Sequence, residues 1–89
     1  MPSSIATITT SGQLSPVLKR LRKDLGLSQE ALGQKLGLSQ ERISVMERHP
    51  ERLPVDQLLT LLMALNAQLE VTRKETPDAT ERSADWGSW

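Results

Sequence analysis

The segment 29–48 constrains the fold of this chain more than any other part of its sequence. It contains two short helical patterns, which are separated by Gly37 and by a serine, Ser39, that precedes the second pattern. Serine is favoured just before a helix because its hydroxyl accepts a hydrogen bond from a free backbone N–H. Glycine adopts the positive φ of a tight turn without the steric cost of a Cβ atom. The pattern therefore predicts helices over 29–36 and 40–48, joined by a sharp turn.

A first helix is predicted upstream of this segment. Leucines recur there at helical spacing: Leu14, Leu18, Leu21 and Leu25. Gly26 follows them and ends the helix. The start of the helix has two candidate caps, Ser15 followed by Pro16 at the first helical position, and an earlier one at Ser11.

A loop and a fourth helix are predicted downstream. Pro50 blocks continuation of the third helix, and a new helix is expected to begin between Pro54 and Asp56 and to end at Asn66. The inward faces of helices two to four are expected to form a core from apolar residues: Leu32, Leu36, Ile43, Met46, Leu58, Leu61, Leu62 and Leu65. A core this small is marginal, so dimerisation would help to stabilise it.

The period of the sequence changes after the fourth helix. Residues 67–73 alternate between apolar and polar side chains, which is typical of a short strand. Apart from the N-terminal arm, the chain offers this strand no partner, and a lone strand suggests pairing across a dimer axis, through Leu69 and Val71. The predicted fold class is therefore all-α, with about four helices and one short C-terminal β-strand that pairs across a dimer.

These boundaries divide the chain into four regions: a flexible arm at 1–13, disordered or loosely β; a helical domain at 14–66; a dimerisation strand at 67–73; and a polar tail at 74–89, disordered when free. The tail contains the only aromatic residues, Trp86 and Trp89. Two tryptophans in a segment too polar to form a core favour contact with a protein partner. The alternative is that one of them folds back onto the domain.

Composition argues against several classes of function. The chain has no cysteine, and its one histidine, His49, lies in a predicted loop. Catalytic nucleophiles and metal ligands are therefore poorly supplied, and we expect no enzymatic activity, no metal, no cofactor and no small-molecule substrate. No apolar stretch approaches the ~20 residues of a membrane span, and the N-terminus lacks a secretory pattern. We expect a cytoplasmic protein without membrane contact.

Charge is distributed unevenly, although the formal net charge is zero. Between residues 14 and 48, seven basic residues stand against four acidic ones, whereas between 70 and 85 five acidic residues stand against three basic ones. A positive helical module with a negative tail is the asymmetry to look for in a nucleic-acid-binding protein. The excess is modest, so binding should depend on salt and show little non-specific affinity.

Two helices joined by a sharp turn match the helix-turn-helix motif, which places its second helix in the major groove of DNA. The outward face of that helix supplies candidates for contact with the bases: Ser39, Gln40, Glu41, Ser44 and Val45. Glutamine pairs with adenine N6 and N7, glutamate accepts from cytosine N4, and valine touches a thymine methyl group. Serine donates or accepts a hydrogen bond.

Four further residues are candidates for contact with the DNA backbone: Ser28, Gln29, Arg42 and Arg48. Gln29 stands in the first turn of a helix, where its side chain and free backbone N–H groups both reach a phosphate. Arg22 and Glu47 either form an ion pair that ties the motif together or remain solvated charges, worth about 0–1 kcal/mol if paired. Gly33 costs ~1 kcal/mol relative to alanine in a helix, which predicts a close backbone approach there.

Residues 21–48, LRKDLGLSQEALGQKLGLSQERISVMER, resemble the Xre and phage-repressor class of helix-turn-helix domains. The resemblance covers residues 14–66 and implies a contact between Gln29 and phosphate. It also implies a salt bridge between Arg22 and Glu47. Base contacts are implied at four of the positions already named: Ser39, Gln40, Glu41 and Val45.

The loop–helix–strand order of residues 48–72 is similar to that of antitoxins of the high-persistence (Hip) type II toxin–antitoxin modules. This resemblance implies a homodimer with paired strands that represses its own operon at palindromic operator DNA. It further implies a kinase-like toxin as partner, contacted by the tail with Trp86 and Trp89. Two other functions stay open: a stand-alone Xre-type transcription regulator without a toxin, and a protein-interaction adaptor that has lost DNA binding.

Overall fold

The structure is a computed structural model that describes residues 5–73. Four α-helices follow one another in this range: α1, Leu14–Asp24; α2, Gln29–Leu36; α3, Gln40–Arg48; and α4, Val55–Ala64. Single turns of 3-10 helix, Ser11–Gln13 and Pro50–Arg52, precede α1 and α4. The number and order of the helices confirm the predicted all-α fold. None of the helices within residues 5–73 is long and apolar enough to cross a bilayer.

The chain enters α1 differently from either predicted cap. A 3-10 turn begins at Ser11, and Ser15 lies inside the first turn of α1 rather than before it. The side chain of Gln13 explains this start, because its Oε1 accepts hydrogen bonds from the backbone N–H groups of Thr9 at 2.6 Å and Thr10 at 3.1 Å. A glutamine thus satisfies the backbone donors that the sequence pattern assigned to a serine.

The two helices of the motif begin and end where the sequence predicts. Ser28 Oγ accepts from the N–H of Ala31 at 3.0 Å, and Ser39 Oγ accepts from the N–H of Arg42 at 3.1 Å. Gly37 ends α2 with a φ of 71°, in the left-handed region. Each serine cap contributes about 1 kcal/mol to the stability of its helix, so the turn between α2 and α3 is fixed from both sides.

The core lies where the four helices meet. Side chains from all of them form one buried apolar cluster: Leu18, Leu32, Ile43, Met46, Leu61, Leu62 and Leu65. Leu36 and Leu58, which were also predicted to be buried, are half-buried and pack against this cluster. Leu25 is 42% exposed, because α1 ends just before it and the chain turns away at Gly26. The core therefore follows the predicted leucine pattern up to the last turn of α1.

The chain leaves α4 through Leu65 and Asn66, which has a φ of 62°. The helix ends two residues before the predicted Asn66, since that residue's left-handed conformation turns the backbone away. Lys35 Nζ, on α2, donates to the backbone carbonyl of Ala64 at 3.1 Å. The last turn of α4 is therefore tied to α2.

Residues 67–73 follow α4 and are not part of a strand, and no strand occurs anywhere in the described range 5–73. A strand is defined by hydrogen bonds to a neighbouring strand, and the described part of this single chain offers none, the N-terminal arm included. Pairing of this segment across a dimer axis therefore stays a prediction.

Candidate nucleic-acid interface

Helix α3 is anchored in the domain by one face. Ile43, Met46 and Glu47 are buried, and their spacing of three and four residues places them on the same side of the helix. The opposite side carries the residues predicted to read bases. Four of the five are exposed, namely Ser39, Gln40, Glu41 and Val45, whereas Ser44 is half-buried. The structure thus presents the N-terminal end of α3 to solvent.

A fully buried carboxylate lies behind this exposed face. Glu47 has no exposed surface, and it receives two hydrogen bonds from Arg22, from Nε at 2.6 Å and from Nη2 at 3.3 Å. The third guanidinium nitrogen, Nη1, donates to the backbone carbonyl of Leu27 at 2.8 Å. The two-pronged contact is the geometry in which arginine binds carboxylates most strongly. Arg22 and Glu47 therefore form a buried pair, and the alternative of two solvated charges is wrong.

Gln29 connects this buried pair to the surface of α3. Its Nε2 donates to Glu47 Oε1 at 3.0 Å, and its Oε1 accepts from Gln40 Nε2 at 2.6 Å. A carboxylate only accepts hydrogen bonds, so Glu47 requires the NH2 side of Gln29 to face inward. The oxygen of Gln29 must then face Gln40. The direction of both amides is therefore set by the buried charge of Glu47.

Gln40 keeps the groups that it needs for a further contact. An amide NH2 group has two donors, and its oxygen has two acceptor positions. One donor of Gln40 is used by Gln29, which leaves the second donor and the oxygen free to face outward. A donor and an acceptor side by side are what adenine N7 and N6 require.

The N-terminal ends of α2 and α3 meet at this point, because Gln29 and Gln40 are the first residues of their helices. Helix N-termini carry a partial positive charge and free N–H groups, which favour anions such as phosphate. Glu30 and Glu41 lie in the same first turns. Their carboxylates oppose anion binding in part, so the site discriminates by geometry more than by net charge.

Of the residues predicted to contact the DNA backbone, Ser28, Arg42 and Arg48 are exposed and Gln29 is half-buried. Arg42 Nη2 donates to Gln57 Oε1 on α4 at 3.1 Å, and Arg48 Nε donates to the carbonyl of Ser44 at 3.4 Å. Both guanidinium groups retain further donors, since each has five N–H bonds. The structure therefore does not gather these four residues around one point.

Gly33 lies at a close approach, as predicted, and the nearest group is in the turn. A Cβ atom at this position would overlap the backbone carbonyl oxygen of Leu38 and would lie 3.4 Å from Cγ1 of Ile43. The same two residues are joined by a hydrogen bond from the N–H of Leu38 to the carbonyl of Gly33, at 2.8 Å. Glycine at this position therefore sets how closely the turn folds onto α2.

Two features of the site were not predicted from the sequence. One is the double role of Gln29, which bridges residues 18 and 11 positions away along the chain. The other is Gln57, which ties the first turn of α4 to Arg42. Glutamines at the first position of both motif helices were the available signal for the former. No local pattern marks Gln57.

The residues predicted to bind other proteins lie elsewhere. Leu69 and Val71, predicted for dimerisation, are both exposed. Trp86 and Trp89, predicted for contact with a toxin, lie outside the described residues.

Comparison with known proteins follows the same lines. The helix-turn-helix family profile matches residues 18–71 of this chain. Among solved structures, a HipB variant in complex with an O2 20mer has a TM-score of 0.71 at 25% identity, covering 81% of this chain and 100% of that one. The HipB–O1–O2 complex has a TM-score of 0.68 at 25% identity, covering 76% of this chain and 99% of that one. No curated protein sequence matches the chain.

The family profile begins at the buried Leu18 of α1 and extends through both motif helices into the segment after α4. The chain and HipB also share one fold over nearly all of the HipB chain. This protein therefore belongs to the helix-turn-helix family, as an Xre-type member.

Proposed function

We propose that the protein is a DNA-binding antitoxin that represses its own operon as a homodimer. The observation that carries this proposal is the exposed end of α3, where Gln40 is oriented from behind by Gln29 and the buried Glu47. Donors and acceptors fixed in direction on an exposed helix end are suited to reading base edges in the major groove. The similarity to HipB in its O2 and O1–O2 complexes supports the same function.

Each exposed residue of α3 has a role in this proposal. Gln40 pairs with adenine through its free N–H and its oxygen, and Val45 packs against a thymine methyl group. Glu41 accepts from cytosine N4 and repels misplaced phosphates. Ser39 and Ser44 hydrogen-bond to whichever base edge lies beside them. Together they give the helix a preference for a short base sequence.

The backbone contacts fix the position of the helix in the groove. Ser28, Gln29, Arg42 and Arg48 are proposed to face phosphates, with the N–H groups of the first turn of α2 adding to Gln29. Only two of these side chains are cationic. Affinity then depends on correct placement as well as on charge, consistent with the modest positive excess of the domain.

We further propose that two copies bind one palindromic operator. In a symmetric dimer each protomer contacts one half-site, with the recognition helices about 34 Å apart, one turn of DNA. Residues 67–73 pair across the symmetry axis in this arrangement, through Leu69 and Val71. The exposure of both side chains in the single chain supports that role.

The antitoxin part of the proposal concerns a kinase-like toxin. Trp86 and Trp89 are proposed to contact it, since tryptophan is enriched among the residues that dominate binding energy at protein interfaces. The acidic balance of the sequence after residue 69 separates this region in charge from the basic module. One chain then binds two partners with different regions.

The DNA-binding proposal is tested with the full chain and a duplex from the promoter that precedes its gene. Gln40→Ala should weaken binding by 1–3 kcal/mol, the discrimination of a good bidentate base contact. Gln34→Ala, an exposed glutamine on α2, is the matched control and should bind as the parent does. Fluorescence anisotropy at fixed salt measures both variants. Equal affinity for Gln40→Ala would remove the assignment of this residue to base reading.

The toxin proposal is tested by capture from the native host. The full chain should retain a kinase-like protein, and a chain ending at Lys74 should retain much less of it. If both baits capture the toxin equally, the tail is not the contact. Recovery of operator DNA without any protein partner would instead support the stand-alone regulator. Failure to bind DNA at any salt concentration would support the adaptor.

A further inference from the structure

Helix α4 exposes apolar side chains on the face turned away from the core. Val55 is 65% exposed, Leu59 41% and Met63 74%. Residues four apart lie above one another on a helix, so these three form a single stripe, which we call the outer α4 face. The opposite side of the same helix carries the buried Leu61 and Leu62.

The sequence around this stripe contains no charge. From residue 57 to residue 69 there is no Asp, Glu, Lys or Arg. A helix on the surface of a domain normally has a charged face, and one that is apolar on all sides is normally buried. Scattered exposed apolar residues need no explanation, but a contiguous patch of them marks an interaction site.

The stripe continues into the segment after the helix. Leu69 and Val71 are exposed too, so five of the nine large apolar residues that are exposed within the described range 5–73 lie between 55 and 71. The N–H of Ala67 donates to the carbonyl of Leu62 at 2.9 Å, which holds the start of this segment against the end of α4. The outer α4 face and residues 67–73 therefore belong to one surface.

We infer that the outer α4 face is the apolar centre of the homodimer interface and is covered by the same face of a second copy. An uncharged surface is complementary to an uncharged surface, and a two-fold axis brings one patch against its own copy. The stripe is about 15 Å long and about 10 Å wide, on the order of 150 Å² in projection. A stable interface needs about 800 Å² per partner, so the segment 67–73 must take part.

This arrangement links the dimer to the readout site. Gln57, in the first turn of α4, accepts from Arg42 in the first turn of α3 at 3.1 Å. A second copy docked on α4 therefore fixes the position of its own α3 relative to the first. The inference rests on the proposed homodimer and adds the surface that sets the distance between the two recognition helices.

The test compares two leucines of equal exposure in the full-length chain. Leu59 is 41% exposed and lies on the outer α4 face, whereas Leu25 is 42% exposed and follows α1. Leu59→Lys places a cation in an apolar interface, which is strongly unfavourable without a partner. The dissociation constant of the dimer should rise at least ten-fold, measured by analytical ultracentrifugation without DNA. Leu25→Lys should leave the constant unchanged.

Two further variants keep the result interpretable. Met63→Lys should weaken the dimer as Leu59→Lys does, and circular dichroism should show parental helix content in both. If Leu69→Lys breaks the dimer while both α4 variants dimerise normally, residues 67–73 mediate dimerisation and the outer α4 face does not. If the parent is a monomer up to the highest concentration studied, the proposed homodimer fails together with this inference.

The competing occupant is the tail of the same chain. Trp86 and Trp89 are its only aromatic residues, so the fluorescence of the full chain reports on the tail alone. If the tail covered the outer α4 face, Met63→Lys would shift tryptophan emission toward that of solvated tryptophan without changing the mass in solution. That result would overturn the inference. Unchanged emission together with a weakened dimer supports it.

Discussion

At the scale of single residues, Gln29 joins the interior of the domain to its exposed reading face. Glu47 is buried with Arg22, and Gln29 transmits its orientation to Gln40 through two successive hydrogen bonds. Amide groups are nearly symmetric in shape, so a free glutamine on the surface would sample both orientations. The buried carboxylate selects one of them before any DNA is bound, which lowers the entropy cost of binding.

Replacing Gln29 with alanine should therefore weaken the selectivity of the protein for its operator. A residue that only contacts phosphate affects all sequences alike, whereas one that positions Gln40 affects discrimination at the base read by Gln40. We expect Gln29→Ala to bind the operator about ten-fold less tightly and to lose most of the preference for adenine at that position. Anisotropy measured with a set of single-base operator variants checks this.

The control for this experiment is Gln34→Ala, in the same helix. It should change neither affinity nor preference, because Gln34 is exposed and lies in the last turn of α2. If Gln29→Ala weakens binding to all duplexes by one common factor, Gln29 acts through phosphate alone and its positioning role is wrong.

Gly33 sets the geometry of the turn by what it lacks. Alanine is favoured over glycine in a helix by about 1 kcal/mol, but its Cβ would overlap the carbonyl of Leu38. Overpacking of this kind costs about 1–3 kcal/mol, and the group in the way is backbone. We expect Gly33→Ala to lower the free energy of unfolding by about 1–2 kcal/mol, as measured by urea denaturation.

Gly12→Ala provides the comparison, because no atom lies within 4 Å of a Cβ at that position. This variant should stay within about 0.5 kcal/mol of the parent. A Gly33→Ala variant that is more stable than the parent would mean that the turn accommodates the methyl group, and that the close approach does not constrain the motif.

At the scale of elements, the cap of α3 has two roles that can be separated. Ser39 Oγ caps the helix, and the same residue is proposed to face the bases. Ser39→Ala should lower stability by about 1 kcal/mol. Ser39→Asp should retain the stability, because aspartate is an equally good cap and favours a helix N-terminus. The aspartate variant should nevertheless bind DNA more weakly, since its charge repels phosphate.

Thermal denaturation and anisotropy, carried out on both variants, distinguish the two roles. Ser28→Asp is the corresponding change at the cap of α2 and should behave in the same way if Ser28 faces a phosphate. An aspartate at residue 39 that binds DNA as tightly as serine would place this residue away from the duplex.

The elements also show how far the sequence alone leads. Caps and turn glycine predicted both motif helices, because Ser28, Gly37 and Ser39 act on their immediate neighbours. The start of α1 was missed because Gln13 satisfies the donors there, a role for which serine is the usual signal. The Gln29 bridge was missed for a different reason. It depends on three elements meeting in space, and no local pattern encodes that meeting.

At the scale of the whole molecule, the distribution of charge predicts how binding responds to salt. Two cationic side chains per protomer, Arg42 and Arg48, are proposed to face phosphates, which makes four in the dimer. Each released counterion contributes about −0.9 to the slope of log K against log salt. We expect a slope of about −3 to −4, measured by titrating the operator at several salt concentrations.

Arg48→Gln should make that slope shallower by about 2, since two copies of the contact are lost. Arg20→Gln, on α1 and outside the proposed contacts, should leave it unchanged. A slope near zero for the parent protein would contradict binding of this face to a polyanion.

The support for the reading helix lies behind it, in Arg22, Gln29 and Glu47, whereas Glu41 and Val45 project from the other side. Substitutions at these two exposed positions leave the buried carboxylate and its hydrogen bonds untouched. The scaffold can therefore acquire new operator preferences without being redesigned. Related proteins in one cell could diverge at these positions until none occupies the promoter of another. A library randomised at 41 and 45 would be a source of orthogonal repressors with a common stability.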